Sequence, residues 1–143
     1  MTYKILLAVM LTALAESSIM ANAPQVHEQH AYKEIHAEQL KTWYDEKIPM
    51  TVVDARSPKY FNGSLLPGAL RVTSEDSDKT IENAIPIKNG LVVVYCSSIK
   101  CPAGGWLADR LVSMGYTNVY KYPEGIHDWV EKGYEITKAE VQK

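Results

Sequence analysis

Two cysteines, Cys96 and Cys101, stand with four residues between them in "VVVYCSSIKCPAGGWLADRLVSMGY" (Val92 to Tyr116), and the chain has no others. An apolar, β-branched run delivers the first, and a proline one position after the second opens a helical pattern. A thiol at the end of a buried strand, facing a helix start, is in a setting that favours the thiolate. Loop amides can curl around the sulfur, and the helix N-terminus adds partial positive charge. Thiolate pKa values at such sites fall to roughly 3.5–7.5. The same cradle suits the anionic outer sulfur of a persulfide. A single pair so close in sequence cannot make the framework of a disulfide-rich fold; it reads as a redox, metal or catalytic device.

Alternating strand and helix signals must position that thiol. "YKEI" (Tyr32–Ile35) is extended, and "HAEQLKTWYDEK" spaces Leu40, Trp43 and Tyr44 along one helical face. "MTVVDAR" is a short buried strand, followed by Ser57-Pro58 as cap and first residue of a brief helix. A turn and short strand follow in "LPGALRV", then a charged, solvated stretch from Ser74 to Lys79 and one or two helical turns in "TIENAIPI". "LVVVYC" is continuous enough to be covered on both faces. Trp106, Leu107, Arg110, Leu111 and Met114 trace a packing stripe on the helix that Gly115 caps. "NVYKY" and "GIHDWVEKG" complete the series, with a frayed tail after Ile136. The fold class is α/β, with a parallel central sheet of about five strands flanked by helices on both faces. Ligands of such sheets collect outside the carboxyl ends of the strands, where Cys96 lies.

At 143 residues the chain holds one domain, placed at residues 31–138, and its apolar and charged fractions, 46% and 22%, are those of a globular protein. A net charge of −2 gives no reason to expect nucleic acid or an anionic membrane as partner. Residues 1–23, "MTYKILLAVMLTALAESSIMANA", read as a secretory signal: Lys4, an apolar core from Ile5 to Leu14, then Ala21-Asn22-Ala23. Cleavage after Ala21 or after Ala23 fits, ten apolar residues are too few to span a bilayer, and an uncleaved N-terminal anchor stays open as the alternative. The expectation is an exported, periplasmic monomer, free of the membrane once the signal is removed.

Several stretches, in order, resemble the rhodanese-like domain family of single-domain sulfurtransferases. "VVDARSPKYFNGSLLPGA" is similar to the family's N-terminal signature, "VVVYC" to the strand that carries its catalytic cysteine, and "LADRLVSMGYTNVYKYPEGIHDW" to its C-terminal part. The resemblance implies ping-pong transfer of a sulfane sulfur from a donor such as thiosulfate to a thiophile, cyanide or a thiol (a protein thiol included), through a persulfide on Cys96. The active loop would be Ser97, Ser98, Ile99, Lys100 and Cys101, with Lys100 as its cation. Asp54 and Arg56 would support loops near the site, with substrate contact left open. No cofactor and no metal is implied.

The chain departs from the family's pattern in ways that bear on substrate. Leu65 stands where many relatives carry histidine, Ile99 where many carry glycine, and Cys101 where arginine is frequent. The cysteine at 101 opens a second reading, a thiol redox protein or a sulfur carrier without turnover using the Cys96/Cys101 pair. A simple stabilising disulfide, or a buried structural cysteine, also fits the residues alone. Phosphatases of similar fold need Cys-x5-Arg, and the sixth position after Cys96 is Pro102. Two cysteines are too few soft ligands for a metal, and His127, the nearest histidine downstream, reads as a solvated helix residue.

Overall fold

The computed structural model describes residues 31–139, so the leader expected at residues 1–23 lies outside the described residues. The strands are β1 (Lys33–Glu34), β2 (Thr51–Asp54), β3 (Ser64–Leu65), β4 (Leu70–Arg71), β5 (Val92–Tyr95), β6 (Val119–Tyr122) and β7 (Thr137–Lys138). The helices are α1 (Ala37–Asp45), α2 (Asp78–Ala84), α3 (Ala103–Ser113) and α4 (Gly125–Glu131), with a 3-10 turn at Pro58–Tyr60. Five strands form a wholly parallel sheet in the order β1-β6-β5-β2-β4. The expected α/β architecture is therefore present, with β5 at its centre.

Strand β5 is buried from end to end. Its side chains alternate between two apolar layers, as the period of a strand requires. Val92 and Val94 pack with Ile81, Leu107 and Leu111 beneath α2 and α3. Val93 and Tyr95 pack with Leu40, Leu66, Ile126 and Trp129 beneath α1 and α4. Burial on both faces is why this strand reads as an unbroken apolar run. Continuous ladders to β2 and β6 hold its carboxyl end, so the residue that follows is presented from the most constrained strand of the sheet.

Two local expectations need correction. The chain after Ile136 is not frayed as far as Ala139: Thr137 and Lys138 pair antiparallel with Leu65 and Ser64, and the Ala139 amide donates to the Gly63 carbonyl at 2.8 Å. Two-residue strands carry too short an alternation to register in sequence. The helical turns expected in "TIENAIPI" begin two residues earlier, inside the solvated Ser74–Lys79 stretch, because α2 starts at Asp78, where Ser77 caps it by accepting from the Thr80 amide.

Two devices fix the carboxyl edge of the sheet. At the end of β2, Asp54 and Arg56 form a buried ion pair, Nη2 to Oδ2 at 2.6 Å and Nε to both carboxylate oxygens at 3.0 Å. Arg56 also donates to the Ser64 carbonyl at 2.5 Å and to Asn62 Oδ1 at 3.2 Å. Removing one member of such a pair strands the other charge and costs about 3–5 kcal/mol. The second device is Gly125, which opens α4 with φ +71°. Its Cα hydrogen faces the chain just after β5; a Cβ there would lie 2.4 Å from the Cys96 carbonyl oxygen and 2.8 Å from the Ser97 carbonyl carbon. That close approach lets the Ile126 and His127 amides donate to the Cys96 and Ser97 carbonyls, both at 3.0 Å.

Gly125→Ala must therefore push backbone against backbone. The left-handed conformation alone costs about 1–2 kcal/mol, and the clash adds to it. Urea denaturation should show a loss of at least that size, and amide exchange at Ile126 and His127 should accelerate. Unchanged stability and exchange would mean that the contact is dispensable.

Candidate active site

Cys96 follows the last residue of β5 and is 4% exposed. From there to α3 the chain turns back on itself: the Cys101 amide donates to the Ser98 carbonyl at 2.9 Å. This brings the Cys96 and Cys101 Cα atoms to 6.1 Å, and their sulfurs are joined in a disulfide. Gly104, in the first turn of α3, lies against Cys96; a methyl on it would stand 3.6 Å from the cysteine Cβ and 3.7 Å from its backbone nitrogen. No side chain caps the N-terminus of α3, and its first turn holds no acidic residue. The positive end of that helix dipole is left to act on the sulfur.

A cavity of about 540 Å³ opens over the disulfide. Of the residues expected to form the site, Cys96, Ser97, Ser98, Lys100, Cys101 and Arg56 line it. Ile99 does not: it is 74% exposed and outside the lining. Asp54 does not reach the cavity either; it lies beneath, paired with Arg56. The Arg56 guanidinium is committed to Asp54, Ser64 and Asn62, so its contribution to the cavity wall carries little unspent hydrogen-bonding capacity. Lys100 is exposed at the wall and Glu75 faces the same space. The anion cradle expected from the loop amides is narrowed at one point, since the Cys101 amide is spent on Ser98. The amides of Ser97, Ser98, Ile99 and Lys100 donate to no backbone carbonyl among the described residues.

Sequence reasoning missed the far wall. Thr73, Ser74 and Glu75 come from a segment that carries no motif, Tyr60 lies within the N-terminal signature without being singled out there, and only the fold brings them opposite the loop. Trp106, read as a packing residue, is corrected: it is 60% exposed and lines the cavity. Leu107, Ala108 and Leu111 make the buried stripe of α3, and Trp106 precedes it by one position, about 100° round the helix. That offset was the available signal. Trp129, by contrast, packs fully in the core against Tyr44, Tyr122 and Tyr134. The His127 side chain is exposed as expected, and it is the backbone of that residue that serves the site. His36 precedes α1 without capping it and pairs with Glu124 at 2.7 Å.

Tyr95 links the sheet to the support beneath the site. Its hydroxyl accepts from the Leu66 amide at 3.1 Å and points at Asp54 Oδ2, 3.4 Å away. Burial, reinforced by the Asp54 charge, raises its pKa well above that of an ordinary phenol, so it stays neutral. Among the described residues no group of three or more His, Cys, Asp or Glu side chains is placed to hold a metal ion. No helix among them is long and apolar enough to cross a membrane.

Comparison with known proteins gives this geometry a family. The model of the Rhodanese-like domain matches residues 36–132, from the start of α1 to the end of α4. The chain is 31% identical over 67 residues to Thiosulfate sulfurtransferase PspE of Escherichia coli (strain K12); the match covers 47% of this chain and 62% of that relative, so it spans less than two thirds of the relative's length. In structure it is similar to the BH2092 protein from Bacillus halodurans, with a TM-score of 0.67 and 18% identity over 74% of this chain and 77% of that one. It is likewise similar to Thiosulfate sulfurtransferase from Pseudomonas aeruginosa, with a TM-score of 0.64 and 18% identity over 82% of this chain and 22% of that one. The sheet order, the cysteine after the central strand and a family match that takes in both Cys96 and the α4 contact beneath it agree: the chain belongs to the Rhodanese-like domain family.

Proposed function

We propose that this chain is a sulfurtransferase that moves a sulfane sulfur from a donor such as thiosulfate to a thiophile, cyanide or a thiol, through a persulfide on Cys96. The observation that carries the reading is the placement of Cys96. It ends the central strand, lies at the floor of an open cavity and sits against the uncapped N-terminus of α3. Reduction of the disulfide frees it as a thiolate in surroundings that stabilise negative sulfur. The thiolate attacks the outer sulfur of the donor, and sulfite leaves with the electron pair of the broken S–S bond. The acceptor then takes that sulfur from the persulfide and restores the thiolate. Lys100 is the cation available to the sulfonate oxygens, while Ser97 and Ser98 line the same wall.

The name of the Escherichia coli relative, Thiosulfate sulfurtransferase PspE, supports the donor class. The chemistry asks for no cofactor or metal. The partners in this reading are a small sulfur donor and a thiophilic acceptor, and the working form is a monomer. Export rests on the leader pattern of residues 1–23, and the chain recovered from an extracytoplasmic fraction should begin at Asn22 or Pro24. An intact Met1 on that chain would overturn the cleavage.

For the transfer itself, the test is steady-state thiosulfate:cyanide turnover of the reduced protein. Cys96→Ser should lower kcat/KM by more than about 1000-fold, because a hydroxyl cannot carry the sulfur. Turnover surviving in that variant would place the chemistry elsewhere.

A further inference from the structure

Cys101 is a loop residue without a task in simple sulfur transfer, yet the loop is shaped to return it to Cys96. The Ser98–Cys101 turn folds the chain back at 2.9 Å, and the 6.1 Å Cα separation lies within the range a disulfide spans without backbone movement. The two cysteines differ in access. Cys96 is 4% exposed, whereas Cys101 is half-buried on the cavity wall. They differ in placement too: Cys96 lies against Gly104 in the first turn of α3, whereas Cys101 directly precedes the N-cap of that helix, Pro102.

We propose that the chain reduces its sulfane donor to hydrogen sulfide, with Cys101 as the resolving thiol. This rests on the reading that the donor's sulfur is first taken by Cys96. The Cys101 thiolate attacks Cys96 Sγ in the persulfide. The bond from Cys96 to the outer sulfur breaks, hydrosulfide leaves with its electron pair, and the Cys96–Cys101 disulfide forms. With thiosulfate the balance is one thiosulfate and two thiols in, and one sulfite, one hydrosulfide, one disulfide and one proton out. The two thiols are oxidised by two electrons, and the sulfane sulfur is reduced by two.

A dithiol reductant closes the cycle, and the difference in access sets its direction. The incoming thiolate reaches Cys101 Sγ, the sulfur on the open side, and expels Cys96 as the leaving thiolate. Attack at that sulfur leaves the departing charge on Cys96, which lies against the first turn of α3. The second thiol of the reductant then releases Cys101. The disulfide seen here is the end state of the first half of that cycle.

The experiment counts products in one turnover. Protein reduced, freed of reductant and held without oxygen is mixed with a small excess of thiosulfate, and sulfite and sulfide are measured per chain alongside intact mass. The wild-type chain should release one sulfite and one sulfide and lose two hydrogens. Cys101→Ser should release sulfite but no sulfide, and keep one added sulfur that cyanide removes. Sulfite without sulfide from the wild-type chain, with the sulfur retained, would overturn the resolving role and leave transfer through Cys96 standing. No sulfite from either chain would overturn both.

Discussion

The site depends on one backbone contact. Two amides at the start of α4 hold the carbonyls of Cys96 and Ser97, and they can do so only because Gly125 brings the helix within the radius of a methyl group. With those two carbonyls turned toward α4, neither directs its oxygen at the sulfur. The contact thereby sets the polarity of the loop. It couples the cysteine to the C-terminal helix, whose Ile126 and Trp129 are in turn packed under β5 and β6. The loop after Cys96 is therefore irregular in conformation but braced from both sides, by α4 below and by the first turn of α3 beside it.

The remaining charges near the cavity are divided by burial. Arg56, at the buried wall of the cavity, and Asp54, beneath it, neutralise each other where an unpaired charge would be costly, and Arg56 ties β2 to the loop at Asn62–Ser64. Tyr95, neutral in its buried setting, joins that support to Leu66. Lys100 and Glu75 remain at the wall, where solvent screens them and a substrate can exchange for it. Structural charge is kept under the site and adjustable charge above it. The aromatic rings of Trp106 and Tyr60 give the cavity an apolar side far larger than a thiosulfate ion needs.

The sheet was legible in the sequence because its physics is local. Val92–Tyr95 is apolar without a break since it is covered on both faces, and Pro102 and Gly115 mark the limits of α3 through backbone chemistry. Cys96 was legible for the same reason, as the polarity change at the end of that run. What sequence could not show depends on contacts between distant segments. Strands β3 and β7 are two residues each and pair across more than seventy positions. Glu75, Tyr60 and Thr73 face the cysteines only once β2, β4 and β5 lie side by side. Trp106 was misassigned because a stripe read at the tolerance of one position includes its neighbour. Gly125 was visible as a residue, but its purpose lies in a carbonyl almost thirty positions earlier.

The central claim is that a sulfane sulfur is carried on Cys96 at the floor of this cavity. Its most direct test is intact mass followed by peptide mapping of the reduced Cys101→Ser chain after brief exposure to thiosulfate, with the competing thiol absent. One added sulfur on the peptide that contains Cys96, lost on adding cyanide, is the predicted result. An unmodified chain, or sulfur found on any other peptide, would contradict it.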